Sequence, residues 1–249
     1  MKSQGNTILI TGGGSGIGLA LAEAFKKRGD TVVVANRSED KLKKASQLGF
    51  KTYRMNMADA ADIESTARKI LTDFPGLNGV IHNAGIMRAE SLTSGASPET
   101  QTETIATNLL GPMLLNNIVI PELQKQSSAF IMTVTSGLAF IPMAMFPTYC
   151  ASKAALHSYT ESLRTQLKGT SIQVTELAPP YVQTRLTGAE QENDPTAMPL
   201  DEFILEVMDL IKKNPDAAEI LVNRVRPLRF AAGKGPEEYE RFYAQLNGG

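Results

Sequence analysis

The amino-acid sequence predicts a doubly wound α/β fold, in which a seven-stranded, mostly parallel sheet carries helices on both faces. Short runs of β-branched and apolar residues alternate with longer helical stretches from residue 7 to about 222, and this alternation is typical of βαβ units. Most of the short runs are apolar without a break, as expected of parallel strands that helices cover on both sides.

The same patterns place the individual elements. Strands are predicted at residues 7–11, 31–35, 51–55, 79–82, 130–134, 171–177 and 219–222. Helices are predicted at about 16–28, 59–74, 98–123, 148–168 and 200–213. Residues 185–199 lack periodicity and contain loop-forming residues, so we expect a mobile loop that orders over bound substrate. The chain from Pro227 onward is expected to be a tail.

Length and composition indicate one globular unit. The chain has 249 residues, 42% hydrophobic and 20% charged, and no linker divides it, so a single domain over 1–249 is expected. A net charge of −1 offers no electrostatic reason for a nucleic-acid partner. The basic residues at 41–44, 224, 226 and 229 are interpreted as solvated surface.

The single cysteine and the short apolar segments argue against disulfide bonds, metal sites and membrane insertion. Cys150 is the single cysteine, so no intramolecular disulfide can form, and no Cys/His cluster has the spacing of a zinc site. No metal is therefore expected. The first apolar run, residues 8–10, is far too short for a signal peptide or a membrane span. We expect a cytoplasmic protein without membrane insertion.

A glycine-rich turn follows the first predicted strand and opens the first predicted helix. From Thr11 it reads TGGGSGIG. Glycines let such a loop approach a pyrophosphate, whose charge then meets the amides of the helix N-terminus. The order of strand, loop and helix favours this interpretation over a turn without a ligand. The candidate contacts are Gly12, Gly14, Ser15, Gly16, Ile17 and Gly18.

The end of the second predicted strand indicates the choice of cofactor. Dinucleotide folds that bind NAD often place a carboxylate here, about 20 positions beyond the loop, to bind the ribose 2′-hydroxyl. Asn36 and Arg37 stand at this point instead, and an arginine fork can hold a 2′-phosphate. NADP(H) is therefore the expected cofactor and NAD(H) the alternative. A surface arginine that reaches into solvent is the other interpretation.

Tyr149 and Lys153 are candidates for proton chemistry. They are four positions apart on a predicted helix, so both can face one ligand. A free phenol has a pKa near ~10 and is a poor base at neutral pH. Because a neighbouring ammonium favours the phenolate, we expect Lys153 to lower the pKa of Tyr149. A surface tyrosine with a lysine nearby is the alternative.

With further motifs at matching spacing, the chain resembles the short-chain dehydrogenase/reductase family from about residue 6 to 222. The motifs are His82-Asn83-Ala84-Gly85, Asn108, Ser136, and Tyr149-x-x-x-Lys153. The resemblance implies a Rossmann fold and hydride transfer between a nicotinamide and a carbonyl or alcohol substrate. It implies that Tyr149 is the general acid or base and that Ser136 hydrogen-bonds the substrate oxygen. It further implies that Lys153 tunes Tyr149 and holds the ribose, and that Asn108 orders a water for proton relay.

The resemblance also implies cofactor contacts beyond the glycine loop. They are Asn56, Met57, Asn83, Ala84, Gly85, Tyr149, Lys153, Pro179, Val182 and Thr184. Asn56 stands where the family often has an adenine-binding aspartate. Pro180 replaces the glycine of the family's Pro-Gly segment, which removes an amide donor. The resulting Pro179-Pro180 pair is similar to the subgroup labelled DltE-like oxidoreductases.

Two histidines and a group of apolar residues lie in or near the family's motifs. His82 replaces an asparagine, and we interpret it as a buried imidazole rather than a catalytic group. His157, one turn beyond Lys153, is expected at the surface or in an interface. Residues near the catalytic segments are candidates for an apolar substrate wall or for the core: Met87, Leu138, Phe140, Met143, Met145 and Phe146.

Two functions remain open from the sequence. The first is an NADP(H)-dependent oxidoreductase acting on a small to medium, hydrophobic carbonyl or alcohol substrate. The second is a catalytically silent NADP(H)-binding sensor or scaffold, for which the subgroup label suggests a link to cell-wall D-alanylation. The complete set of Asn108, Ser136, Tyr149 and Lys153 favours the enzyme. The helices that carry Asn108 and Tyr149 resemble those that pair between subunits in relatives, so a homodimer or homotetramer is expected.

Overall fold

A seven-stranded parallel sheet forms the centre of the computed structural model, which describes residues 1–95 and 97–248. Its strand order is β3-β2-β1-β4-β5-β6-β7, and each neighbouring pair is parallel. The strands are β1 (Thr7–Thr11), β2 (Thr31–Asn36), β3 (Lys51–Arg54), β4 (Gly79–His82), β5 (Ala129–Val134), β6 (Ile172–Leu177) and β7 (Glu219–Ile220). The predicted doubly wound sheet is confirmed, although β3 and β7 end earlier than predicted.

Helices pack on both faces of this sheet. They are α1 (Gly16–Lys27), α2 (Glu39–Gln47), α3 (Ala60–Asp73), α4 (Pro98–Ile105), α5 (Gly111–Leu123), α6 (Pro147–Gln166), α7 (Ala189–Asn193), α8 (Leu200–Lys213), α9 (Arg226–Phe230) and α10 (Pro236–Asn247). Within the described ranges, none of them combines the length and apolar character needed to cross a membrane.

Three parts of the helical prediction are corrected. Helix α2 was not predicted, because only Leu42 and Ala45 of its nine residues are buried and so short a stripe leaves little periodicity. The long helix predicted over 98–123 is divided by a π-helical segment, Ala106–Leu110. The expected tail contains α9 and α10.

Two apolar layers hold the sheet in place. Alternate residues of β1 point to opposite sides: Ile8 and Ile10 pack in the layer that includes Phe25 of α1 and Phe203 of α8, whereas Leu9 packs in the opposite layer with α3, α5 and α6. Because both faces are covered, the carboxyl ends of the central strands form a fixed edge. Side chains that follow these strands are therefore held in defined positions.

The segment 185–199 has more structure than the expected loop. It contains α7, from which the buried Gln191 side chain donates hydrogen bonds to the carbonyl of Val182 at 2.8 Å and to Thr184 Oγ1 at 3.1 Å. An isolated bridge also pairs Val182 with Met198. The hydrogen bonds of Gln191 and the bridge to Met198 therefore attach this segment to the residues that follow β6.

Candidate active site

A cleft of about 720 Å³ runs along the carboxyl ends of the strands. It includes the point where the strand order reverses between β1 and β4, which is where open α/β sheets bind their ligands. Every residue that the sequence predicts as a cofactor contact lines this cleft, from Gly12 to Thr184. Ser136, Tyr149 and Lys153 line it too.

The glycine loop has the shape of a phosphate cradle. Gly12 and Gly16 have φ angles of +67° and +52°, a conformation that favours glycine. A Cβ at Gly14 would lie 2.8 Å from the Cβ of Lys41, so this position also requires glycine. The side chain of Ser15 makes no capping hydrogen bond to α1. The amides at the helix N-terminus therefore lack a side-chain cap, and they suit an anionic ligand.

Asn83 and Thr11 brace this loop against the end of β4. Asn83 Nδ2 donates to the carbonyls of Thr11 at 3.1 Å and Gly12 at 3.3 Å. Thr11 Oγ1 accepts from the backbone amides of Asn83 and Ala84 at 3.1 and 3.2 Å. The carboxamide of Asn83 thus shapes the loop from inside the protein, and sequence reasoning missed both this brace and Thr11.

Basic side chains collect at the end of the cleft beyond β2. Arg37 Nη1 lies 2.5 Å from Glu103 Oε1, and Arg88 Nη1 lies 2.6 Å from the other oxygen of Glu103. The hydrogen bond from Arg37 contributes most to holding the pKa of Glu103 below its usual range. Lys41 and Lys44, interpreted from the sequence as solvated surface, line the same cleft. Four basic residues thus line the cleft, and among the described residues only two of them share a carboxylate, an arrangement that suits an anion.

Thr107 presents a buried hydroxyl to the cleft. It lies in the π-helical segment and lines the cavity, yet its Oγ1 has no hydrogen-bond partner among the described residues. Leaving a buried polar group unpaired costs roughly 1–3 kcal/mol, which a bound polar ligand would recover. No signal in the sequence distinguishes Thr107. The cradle and this hydroxyl both fit a dinucleotide.

Ser136, Tyr149 and Lys153 converge at one place in the cleft. Ser136 follows β5, while Tyr149 and Lys153 lie on α6. Lys153 Nζ donates to the carbonyl of Val134 at 2.7 Å and lies 5.7 Å from the centre of the Tyr149 ring. The hydroxyl of Ser136 interacts with the Tyr149 phenol and accepts a hydrogen bond from the amide of Leu138 at 3.1 Å.

Burial dominates the proton equilibria of this group. It raises the pKa of Tyr149 to about 12, against the opposing interaction with Ser136. It lowers the pKa of Lys153 to about 8, against the opposing charge of Glu176. The expected net lowering of the Tyr149 pKa is not found, because loss of hydration outweighs the influences that favour the phenolate. Tyr149 is consequently a protonated phenol at neutral pH.

Asn108 lies behind the cleft and does not line it. Its Oδ1 accepts from the amide of Ile86 at 2.9 Å, and its Nδ2 donates to the carbonyl of Ile86 at 2.9 Å and to Ser152 Oγ at 3.1 Å. The fully buried carboxamide is thus engaged by Ile86 and Ser152, and the prediction that Asn108 orders a water for proton relay stays a prediction. The carboxamide joins the segment after β4 to α6.

The two histidines have different environments. His82 is buried, as interpreted from the sequence, and its Nε2 pairs with Asn116 Oδ1 at 2.8 Å, whereas its Nδ1 has no partner among the described residues. Burial lowers the pKa of His82 to about 4, so the imidazole is neutral. His157 Nδ1 lies 2.7 Å from Oε2 of the fully buried Glu176. His157 is half-buried, with 19% of its side chain exposed, and its expected interface position stays a prediction. Glu176 stands within the largely apolar β6, and sequence reasoning missed it.

The apolar lining differs from the predicted substrate wall. Of the six candidates, only Met87 lines the cleft. Phe140 instead packs edge-on against His157, with 5.0 Å between ring centres, and Met145 is exposed. The apolar part of the lining includes Ile86, Met87, Val182, Leu186 and Leu200.

Known proteins share this fold and much of this sequence. The family described as short chain dehydrogenase matches residues 6–195. The oxidoreductase DltE of Bacillus subtilis (strain 168) is 37% identical over 253 aligned residues, which cover 99% of this chain and 98% of that protein.

Solved structures agree with this match in their fold. A short-chain dehydrogenase/reductase from Burkholderia phymatum, in complex with NAD, superposes with a TM-score of 0.79 at 22% identity, covering 97% of this chain and 96% of that one. A short chain dehydrogenase from Shigella flexneri, complexed with NADP, has a TM-score of 0.77 at 21% identity, covering 87% and 95%.

Proposed function

Because the chain belongs to the short-chain dehydrogenase/reductase family of oxidoreductases, we propose that it uses NADPH to reduce a small to medium-sized, apolar carbonyl compound. The observation that carries this proposal is the convergence of Ser136, Tyr149 and Lys153 in a cleft that also holds an open glycine loop and a basic end. Apolar side chains such as Ile86, Met87 and Leu186 offer a surface to the substrate.

Distinct parts of the cleft would hold the cofactor. The amides at the start of α1 suit the pyrophosphate, and Thr107 Oγ1 offers a buried polar contact. Arg37, together with Lys41 and Lys44, would bind the 2′-phosphate, since all three line the same cleft. The cofactor supplies the hydride when it is bound, so the protein contributes position, protons and electrostatics.

The proton is assigned to Tyr149. Its raised pKa of about 12 keeps the phenol protonated, so it can donate to the substrate oxygen as that oxygen gains negative charge. The hydroxyl of Ser136 hydrogen-bonds the same oxygen. Lys153, in its ammonium form, stabilises the phenolate that remains. With Tyr149 and Lys153 both protonated, the site without substrate can donate a proton, as reduction of a carbonyl requires.

A small carbonyl panel tests the function. NADPH consumption is measured with benzaldehyde, acetophenone, 2,3-butanedione and hexanal, and with NADH in parallel. We expect at least one compound to be reduced with NADPH, and to be reduced more slowly with NADH at subsaturating cofactor. Tight NADPH binding without turnover of any of the four would contradict the proposal and favour the sensor.

The rate of reduction should fall as the pH rises through about 8. Lys153 loses its proton there, while Tyr149 remains protonated up to about 12. Loss of the ammonium removes the charge that stabilises the Tyr149 phenolate, so kcat declines on the alkaline side. Steady-state rates at closely spaced pH values check this expectation. A kcat that stays constant or rises well above pH 8 would contradict it.

We also propose that the protein is a homodimer or homotetramer. Leu110 and Leu114 are large apolar side chains that remain 48% and 37% exposed, one helical turn apart where the π-helical segment joins α5. A self-complementary two-fold interface would bury both. Replacing both leucines by aspartate should shift the mass in light scattering towards the 26.9 kDa monomer. A wild-type chain that is already monomeric at micromolar concentration would refute the proposal.

A further inference from the structure

A buried carboxylate lies directly behind the catalytic group. Glu176 of β6 is fully buried. Its Oε1 accepts a hydrogen bond from Thr135 Oγ1 at 2.6 Å, and its Oε2 lies 2.7 Å from His157 Nδ1. Removing a carboxylate from water is costly unless other groups pair with it. Both oxygens therefore have partners, and each partner belongs to an element that carries a catalytic side chain.

The first partner lies in the segment that ends β5. Three consecutive residues there make three different contacts: the carbonyl of Val134 accepts from Lys153 Nζ at 2.7 Å, Thr135 donates to Glu176, and Ser136 interacts with the Tyr149 phenol. The Thr135 hydroxyl thus adds a short side-chain bond to the backbone bonds that join this segment to β6 and the chain beyond it, in which the amide of Thr135 donates to Leu177 at 2.9 Å and that of Gly137 donates to Pro179 at 2.8 Å. Rotation of the segment away from β6 would move Ser136.

The second partner lies on α6. His157 is four residues beyond Lys153, so the two side chains share one face of the helix. The bond between His157 and Glu176 attaches this face to β6. Glu176 therefore contacts both supports of the catalytic group, and it is the carboxylate whose charge acts on Lys153.

Other charged groups surround this pair from the solvent side. His157 Nε2 lies 3.9 Å from Glu161 of α6. Glu219 of β7 is bound by the guanidinium of Arg229 at 2.6 and 3.3 Å. Donor atoms of His157, Glu176 and Glu219 lie within 4.8 Å of one another, a spacing that a divalent cation could use. Arg229 already neutralises Glu219, however, so these carboxylates have counter-charges within the protein.

We propose that Glu176 is a positioning residue of the reduction: through Thr135 and His157 it holds the Ser136 segment and α6 together, and it supplies the buried counter-charge of Lys153. The charge of Glu176 raises the pKa of Lys153 against the effect of burial. Its hydrogen bond is also the largest of the influences that raise the pKa of His157. The effect on turnover rests on the proposed function, whereas the structural brace does not.

The pH profile of turnover is the first test. Whichever of the four panel compounds the wild type reduces fastest serves as substrate. Glu176→Gln keeps the shape and removes the charge, so Lys153 should lose its proton at lower pH. We expect kcat to fall about fivefold more at pH ~8 than at pH ~6, the effect of displacing by about one unit a titration that is half complete at pH ~8.

Two matched variants identify the cause of that shift. His157→Gln keeps the Glu176 charge, so the alkaline decline of kcat should not move to lower pH. Glu161→Gln removes an exposed carboxylate next to His157 and should leave the profile unchanged. Two outcomes would overturn the proposed counter-charge. In the first, the pH at which kcat declines is unchanged in Glu176→Gln; in the second, it falls equally in Glu176→Gln and His157→Gln.

The brace is tested without cofactor or substrate. The chain has only two histidines, so the NMR titration of His157 is assigned by its disappearance in His157→Gln. In Glu176→Gln its pKa should fall towards the ordinary histidine value, and deuterium exchange at residues 134–136 should accelerate. Thr135→Val should accelerate exchange in the same segment and serves as the test if Glu176→Gln does not fold.

These results separate the two proposals. Unchanged titration of His157 in Glu176→Gln, or unchanged exchange in both Glu176→Gln and Thr135→Val, would refute the brace. If the wild type reduces none of the panel compounds, the proposed function fails, and the titration and exchange results still decide whether Glu176 holds the two elements together.

Discussion

Replacing Tyr149 by phenylalanine is expected to lower kcat for carbonyl reduction by about 10²–10⁴-fold, the usual contribution of a general acid. The substitution keeps the ring, which is buried, and removes the hydroxyl that interacts with Ser136. NADPH binding should change by less than about threefold, since a loss confined to the transition state leaves ground-state binding intact. Stopped-flow single turnovers and fluorescence titration with NADPH measure the two quantities separately.

Tyr159→Phe is the matched control for this variant. Tyr159 lies on the same helix, and its hydroxyl accepts a hydrogen bond from Asn116 at 3.2 Å. It does not line the cleft, so its removal should leave kcat nearly unchanged. A Tyr149→Phe enzyme that keeps at least a third of the wild-type rate would remove Tyr149 from the role of proton donor.

Arg37→Ala should weaken NADPH binding and leave NADH binding almost unchanged. Hydrogen bonds to charged groups contribute about 1.5–3 kcal/mol. Arg37 must first give up its contact with Glu103 at 2.5 Å, so we expect the lower part of that range, somewhat more than tenfold in Kd. Isothermal titration with both cofactors measures the difference.

Two variants control this prediction. Glu103→Gln should tighten NADPH binding, because it removes the carboxylate that competes with the 2′-phosphate for Arg37. Lys43→Ala removes an exposed lysine of α2 that, unlike Lys41 and Lys44, does not line the cleft, and it should have little effect. Equal losses for NADPH and NADH in Arg37→Ala, or tighter NADH binding by the wild type, would show that the cofactor assignment is wrong.

Local patterns in the sequence predicted the sheet, and the resemblance to the short-chain dehydrogenase/reductase family indicated which residues line the cleft. Apolar runs predicted most of the seven strands, because burial on both faces leaves a continuous signature; β3, an edge strand, has no such run. The glycines between positions 12 and 18 indicated the loop, because other residues rarely adopt its positive φ angles or fit its close contacts. Helix α2 was missed because its apolar stripe is only two residues wide, and the π-helical segment has no periodic pattern of its own.

The sequence by itself therefore determined the strands, the glycine loop and the order of the motifs, since each of these is a pattern of neighbouring residues. Only the tertiary structure decided what those residues can do. Burial raises the pKa of Tyr149 to about 12, and Arg37 is restrained by Glu103, 66 positions away. The pairing of Glu176 with His157 likewise joins separate elements. Burial and charge pairing between distant elements set these properties, and they leave no mark on local periodicity.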